Sequence, residues 1–276
     1  MRIKLPNAVR TAISAAKIIE RVFITSPGIL YHILLLMTKE TIQLYLKNHP
    51  WAEHITVLDC VNSTNTYLKE LAKRGAPHGS IVIAEAQSAG RGRLGRRFES
   101  PRGKGLYLSL LLRQSPDLRL TPLAAEAVRR AVVQLTGLSV QIKWINDLVC
   151  DGKKLCGILT EISDGCVIIG IGINCEGVPH EVSTSLAQLG YPTDCNALAA
   201  AVIQSLSEMS YDWLDSYKEH CLTIGQDVQL IQNETVRYAH VDDMDDMGAL
   251  LVTLHDGRKE RIFSGEVSVR GMYGYV

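Results

Sequence analysis

Residues 90–97 read Gly-Arg-Gly-Arg-Leu-Gly-Arg-Arg, a stretch that mixes backbone freedom with fixed positive charge. Glycine lets main-chain N–H groups approach a ligand closely. Arginine adds a permanently charged, forked donor that matches carboxylate and phosphate oxygens. Cations this close repel one another, so the loop needs an anion to settle it. A nucleic-acid arm or a solvated loop would use the same residues, and the loop alone does not separate these readings. Gln87 stands at its mouth. Upstream, Ser63-Thr64-Asn65 offers two hydroxyls and an amide, although such residues at a helix start are most often caps. Lys143 lies inside an apolar run and either snorkels to solvent or points into a cleft. Asn146-Asp147 is a turn, and Lys153-Lys154 follows in a hairpin, where lysines also serve to protect an edge strand. Gly170 and Gly172 interrupt a strand, a pattern that marks close approach by a ligand or another backbone.

These residues need elements to hold them. Strands are expected at 55–61, 81–86, 105–112, 140–147 and 167–174. Asp151-Gly152 is a strong hairpin turn between 148–150 and 155–161. Helices are expected near 38–46, at 67–73 behind the Ser-Thr-Asn turn, at 120–137 with Pro122 in the first turn, at 186–189, and as one long amphipathic element over 198–217. Composition shifts after Cys221. Short β runs at 227–231, 235–240, 249–253, 261–263 and 266–269 suggest a small β-barrel, with Asp242–Gly248 as a solvated acidic turn.

The bulk numbers exclude several classes. The 276 residues suit one large domain and a small one, and 46% hydrophobic content supports a sizeable core. Lys+Arg and Asp+Glu both number 29, so the basic loop is local and the chain is no general polyanion binder. Seven scattered cysteines, without C-x-x-C, indicate neither a disulfide framework nor a zinc site, and fit a reducing cytoplasm. Residues 1–36 are basic and end in the apolar run 29–36, which is too short to span a membrane. They read as an extension outside the fold, with residues 37–221 as a catalytic domain and 222–276 as the barrel.

In series, the motifs resemble those of biotin protein ligases (biotin–[acetyl-CoA-carboxylase] ligases): Ser63-Thr64-Asn65, Gln87–Arg93, Lys143–Leu148, Lys154–Leu159, Gly170–Asn174 and, less distinctly, Gly265–Arg270. The resemblance covers roughly residues 40–272. It implies an α+β fold, a mixed sheet flanked by helices like class II aminoacyl-tRNA synthetases, followed by the small barrel. It also implies a reaction. Biotin carboxylate attacks the α-phosphate of ATP to give biotinyl-5′-AMP, and a lysine of a biotin carboxyl carrier domain then takes the biotinyl group.

The family's roles fall on matching positions. Ser63, Thr64 and Gln87 would hold the ureido ring, Gly170 and Gly172 would leave room for it, and Asn65, Gly90, Gly92 and Gly157 would complete the biotin site. Arg91, Arg93 and Lys154 would hold its carboxylate and the phosphates. Lys143, Arg96, Phe98, Asn146, Asp147, Asn174 and Arg270 would serve ATP, and Asp147 would hold Mg²⁺. Arg91, Lys143 and Lys154 are the expected catalytic groups.

Three positions depart from the family pattern: Ile145 for a usual proline, Phe98 for a tryptophan, and Cys156 for an alanine, which reads as a small buried residue or a nucleophile. The family's longer forms carry a DNA-binding domain for which the segment before Ser63 is too short, so neither DNA nor membrane is an expected partner. Monomer and homodimer both stay open. Lipoate or octanoyl transfer on the same fold is the rival activity. N-terminal mass spectrometry of the native protein is expected to find a chain starting near Met37; one starting at Met1 counts against this reading of residues 1–36.

Overall fold

The computed structural model describes residues 37–177, 180–232, 235–263 and 268–271, with side chains described as far as Phe263. Residues 1–36, and with them the expectation of an extension, lie outside the described residues, as do 265–267 of the last motif. The first helix, α1 (Lys39–Leu46), starts where Thr38 accepts the Thr41 N–H on its Oγ1 at 3.1 Å, and buries Ile42 and Leu46. Strand β1 (Ile55–Leu58), helix α2 (Thr64–Lys73) and strand β2 (Ile81–Ala84) follow, then β3 (Gly105–Leu112) and helix α3 (Leu120–Thr136). Next come β4 (Gln141–Lys143), β5 (Asp147–Cys150), β6 (Lys153–Ser163) and β7 (Cys166–Asn174), then helices α4 (Cys195–Ser207) and α5 (Leu214–Glu219).

The seven strands form one mixed sheet in the order β1-β2-β3-β7-β6-β5-β4, with β1 and β2 parallel and every other pair antiparallel. Side chains alternate across a pleated strand. On one face, Leu106, Leu108 and Leu110 of β3 join Ile169, Ile171 and Ile173 of β7 in the main core, which α1, α3 and α4 cover. On the other face, α2 lays Leu68 and Ala72 over Leu111 and Ile168 in a small second cluster. Tyr107, Ser109, Gly170, Gly172, Gly157, Leu159 and Glu161 share that second face by register, since Tyr107 pairs with Gly172 and Gly157 with Gly172 in turn. The candidate chemistry therefore sits on the thinly covered side of the sheet.

A second, antiparallel sheet contains β8 (Asp227–Gln232), β9 (Thr235–Met244), β10 (Leu250–Leu254), β11 (Lys259–Ile262) and β12 (Ser268–Gly271), in the order β11-β10-β9-β8-β12. This is the small β unit expected from the sequence. Among the described residues no ladder joins its outer strands, β11 and β12.

Three expectations need correction. Residues 186–190 form a turn rather than a helix. The long helix expected over 198–217 is two, broken at 208–213. Here tertiary contacts override periodicity: the Tyr211 hydroxyl donates to Asp117 at 3.0 Å, Arg119 lies over the Tyr211 ring at 4.2 Å, and Trp213 packs edge-on against Tyr217. The acidic turn is shorter than expected, because Asp242 and Asp243 belong to β9 and pair with Thr253 and Lys218. Asp245 accepts the Met247 and Ala249 N–H groups and so closes the turn itself.

The two sheets meet at Trp144, between β4 and β5. Its indole Nε1 donates to the Gly248 carbonyl at 2.9 Å, and its backbone N–H donates to Thr223 Oγ1 at 3.0 Å. The Trp144–Ile145 peptide bond is cis. Gly248 has φ +83°, and a Cβ there would press on Pro122 at 3.1 Å, so glycine is required by both backbone and space. Trp144→Phe keeps the apolar bulk but leaves a buried carbonyl unpaired. It is expected to lower the unfolding free energy by about 1–3 kcal/mol in denaturant melts, and a loss too small to measure would mean that this bond contributes nothing.

Candidate active site

The second face of the sheet opens into a cleft of about 510 Å³. Its back wall begins with the N-terminus of α2. Ser63 is the N-cap, with extended backbone at φ −156°, and its hydroxyl faces the Thr66 N–H at 3.5 Å, so the capping role expected of this turn is present. The next two residues do more than cap. The Thr64 backbone N–H and Oγ1 both donate to Gln87 Oε1, at 2.8 and 3.1 Å, and Gln87 Nε2 donates to Ser100 Oγ at 2.8 Å. The Gln87 amide is thereby fixed in one orientation. Ser109 Oγ lies 2.6 Å from Asn65 Oδ1 and 2.8 Å from Thr64 Oγ1. Asn65 Nδ2 donates to Glu161 Oε2 at 2.9 Å. This is a buried polar network with its partners in place, which is rigid where a half-satisfied one would be costly.

The Gly/Arg stretch folds as a short hairpin over the front of the cleft. Gly92 N–H donates to the Arg96 carbonyl at 2.7 Å and Phe98 N–H to the Gly90 carbonyl at 2.9 Å. A 3-10 turn at Arg93–Gly95 leaves Leu94 exposed at the tip, with φ +56°. Three of the four arginines have separate partners, which eases the repulsion between them. Arg91 pairs with Glu161 at 3.2 Å, Arg93 Nη1 donates to Asn146 Oδ1 at 2.9 Å, and Arg97 Nη2 donates to the Ser88 carbonyl at 3.3 Å. Burial pulls the Arg93 pKa below its usual value, Asp147 opposes this, and Arg96 adds to it. Gly90 does not reach the cleft; a Cβ there would collide with the Phe98 carbonyl and Ser100, so its role is to let the hairpin close.

The third wall is the β4–β5 turn and the start of β6. Asp151 and Gly152 both adopt positive φ, 50° and 71°, as a two-residue hairpin turn requires. The register shifts by one residue between Leu148 and Val149, so that Leu148 faces Cys156 while Val149 faces Lys154. Strict alternation would place Lys154 on the same face as buried Cys156. The extra residue turns it into the cleft beside Gly157, as bulges near functional sites do. There Lys154 Nζ lies 2.7 Å from Asp147 Oδ1. Asn146 Nδ2 donates to the Ile158 carbonyl at 2.9 Å and to Asp147 Oδ1 at 3.1 Å. Lys143 lines the same cleft, so its place in an apolar run has a site-facing explanation.

The glycine floor differs from expectation. A Cβ on Gly170 would collide with the Asn65 carboxamide, and one on Gly172 with the Phe98 ring. Gly157 would meet Lys154 at 3.1 Å and Phe98 at 3.3 Å. The missing side chains thus make room for Asn65, Phe98 and Lys154, which in turn define the cleft. Asn174 stands apart: it braces the Lys154 and Thr184 carbonyls, at 3.4 and 3.0 Å, and lines a smaller adjoining cavity. Arg270 is on β12, and its side chain lies outside the described residues. Cys156 is fully buried, which pushes its thiol pKa far above the ordinary value, so it is no nucleophile.

Sequence reasoning missed Ser109 and Glu161. Ser109 had a signal, since a hydroxyl in the run Leu-Tyr-Leu-Ser-Leu-Leu-Leu must find a partner when buried. Glu161 had none beyond its parity with Gly157 and Leu159. Burial pushes the Glu161 carboxyl up, but Lys69, Asn65 and Arg91 outweigh this and hold it below its ordinary pKa. A carboxyl held low contributes stability above the ordinary carboxylate range, about 4.3, and loses it as pH falls through the folded value.

Among the described residues Asp147 is the only carboxylate lining the cleft. Among the described residues no group of three or more His, Cys, Asp or Glu side chains is placed to hold a metal ion. Magnesium that arrives on nucleotide phosphates needs only one or two protein carboxylates. The single carboxylate of the cleft fits that case.

A mixed sheet whose second face gathers fixed cations opposite a polar, amide-and-hydroxyl wall defines a protein that handles an anionic ligand. The chain matches the Biotin/lipoate A/B protein ligase family over residues 57–175 and the Biotin protein ligase C terminal domain over residues 223–270. It is 31% identical over 258 residues to the bifunctional ligase/repressor BirA of Bacillus subtilis, covering 84% of this chain and 79% of that protein. It is 32% identical over 236 residues to the biotin–[acetyl-CoA-carboxylase] ligase of Mycobacterium tuberculosis, covering 77% and 88%. The structure of the Aquifex aeolicus biotin protein ligase in complex with biotin and ATP superposes with a TM-score of 0.70 at 30% identity, covering 79% of this chain and 98% of that one. The chain belongs to the biotin protein ligase family.

The floor gives a direct test. Gly170→Ala is expected to displace Asn65 and to weaken biotin binding by about tenfold or more, the cost of disturbing a buried hydrogen-bonded group, as measured by calorimetry. Wild-type affinity in a folded Ala variant would separate Asn65 from binding.

Proposed function

We propose that this chain adenylates biotin with ATP and transfers the biotinyl group to a lysine of a biotin carboxyl carrier domain. The observation that carries the proposal is the convergence of Arg91, Arg93, Lys143 and Lys154 on one cleft that also holds the Thr64–Gln87–Asn65 network. The first step brings a carboxylate against a polyphosphate. Two anions stay in contact only where preorganised cations hold them, and such groups act most strongly away from bulk water. The carboxylate oxygen attacks the α-phosphorus, the bond to the β-phosphate oxygen breaks, and pyrophosphate leaves. In the second step the carrier amine attacks the biotinyl carbonyl, AMP leaves with the electron pair of the C–O bond, and the amine loses a proton.

Lys154 and Arg91 are assigned to the biotin carboxylate and the bridging oxygen, and Arg93, Arg96 and Lys143 to the phosphates. Ser63, Thr64 and Gln87 are assigned to the ureido group, beside Asn65. The Asn146–Asp147 turn orients the nucleotide, with Asp147 as the residue that would hold Mg²⁺, whose charge would offset that of the phosphates. Phe98 is assigned to packing against the nucleotide. Residues 37–221 are the catalytic unit and 222–276 the smaller one that buttresses it. The β unit matched by the biotin ligase C-terminal family favours biotin over lipoate. All seven cysteines are free thiols, which favours work in the cytoplasm. No helix among the described residues is long and apolar enough to cross a membrane.

Biotin-dependent exchange of pyrophosphate into ATP tests the first step, and mass gain on a carrier domain tests the second. Lys154→Ala is expected to lower the exchange rate by about 10²–10³, the cost of losing one preorganised donor to the developing charge. Undiminished exchange in that variant would remove Lys154 from the mechanism, and exchange driven by lipoate but not biotin would reassign the substrate.

A further inference from the structure

Glu161 lies at the point where three elements meet. It is on β6, one step beyond the cleft floor, and its side chain is 15% exposed. One carboxylate oxygen takes Lys69 of α2 at 2.8 Å and Arg91 of the hairpin at 3.2 Å, and the other takes Asn65 of the back wall at 2.9 Å. Two of these four side chains, Arg91 and Asn65, line the cleft. An arginine in a cation-rich loop has no intrinsic reason to lean over a cleft, since Arg93, Arg96 and Arg97 all repel it. Left to the field of its neighbours it would extend into water, and its side chain is 53% exposed even when paired. What brings it back is a carboxylate whose own position is fixed from the far side by Lys69 and Asn65.

We infer that Glu161 is a positioning residue that acts as an internal stand-in for the substrate anion, parking Arg91 at the cleft and orienting Asn65 before the anionic substrate arrives. Lys69 is the counter-charge that lets Glu161 release Arg91: once a substrate carboxylate or phosphate claims the guanidinium, Glu161 keeps one cation and one amide donor and is not left buried and unpaired. The transfer exchanges one anion for another at the same arginine, so the loop closes over ligand without a large electrostatic penalty. This rests on the assignment of Arg91 to the substrate anion, but the parking itself is independent of catalysis and is tested separately.

Glu161→Gln is nearly isosteric, keeps an acceptor for Lys69 and removes the charge that holds Arg91. Two readouts follow. In the absence of any ligand, chymotryptic cleavage at the hairpin tip, next to exposed Leu94, is expected to accelerate several-fold as the loop is released. In pyrophosphate exchange, the KM for biotin is expected to rise about tenfold, the loss of one charge-assisted hydrogen bond, with kcat changed less than threefold. In an Arg91→Gln background the same change is expected to raise KM by less than twofold, because partners of one interaction do not add. Wild-type cleavage and wild-type KM in a folded Gln variant overturn the inference. So does an equal KM effect with and without Arg91, which would place the action on the Lys69–Asn65 framework. Should the Gln variant not fold, Glu161→Asp, which withdraws the charge by one methylene, is read in the same way. If the wild-type protein shows no biotin-dependent exchange while the cleavage result holds, the parking stands and the assignment of function falls.

Discussion

Everything in this structure answers one constraint, the mutual repulsion of cations that must share a cleft. Arg91, Arg93, Lys143 and Lys154 converge there, and like charges at such spacing do not stay together unaided. The protein distributes the load over anions and dipoles on three elements. Glu161 holds Arg91, Asp147 holds Lys154, and the Asn146 amide holds Arg93. These partners are themselves held, Glu161 by Lys69 and Asn65, Asn146 by the Ile158 carbonyl, and Asp147 by the Asn146 amide. The field in the cleft is therefore positive and stiff before any ligand arrives, the condition under which fixed charges contribute most to a charged transition state.

The glycines belong to the same solution. Gly157, Gly170 and Gly172 line up across β6 and β7 on one face, and what fills the space they leave is the Asn65 carboxamide, the Lys154 stem and the Phe98 ring. Read from the sequence, their absent side chains suggested room for a ligand. In the fold they first provide room for the groups that meet a ligand. The sheet is stripped of side chains where the second face must be deep, and left with branched apolar residues on the first, so one β hairpin serves as core on one side and as a binding floor on the other.

Much of this was legible before the fold. The bounds of β3 at 105–112 and the Asp151-Gly152 turn could be read directly, because turn chemistry and strand composition are local, whereas the grouping of the Ser-Thr-Asn, Gly-Arg and Lys motifs rested on the family resemblance. The shift that aims Lys154 could not, because a single extra residue in a ladder leaves no mark on hydrophobic alternation. The break between α4 and α5 was hidden for the opposite reason. Its apolar stripe is continuous enough for one helix, and only the distant pair Asp117–Arg119 draws Tyr211 out of line. Glu161 stayed hidden because its importance is the sum of contacts from residues 69, 65 and 91, none of them near it in the chain.

The indole of Trp144, two residues before Asn146, reaches across to the Gly248 carbonyl in a turn of the small C-terminal unit. The smaller unit is therefore part of the foundation on which the Asn146–Asp147 wall of the cleft stands. The two units cannot be exchanged between relatives as free cassettes. A graft that replaced residues 222–276 with a foreign β unit would have to present a backbone oxygen at the same spot, or the cleft would lose the prop beneath one of its walls while its own sequence remained untouched.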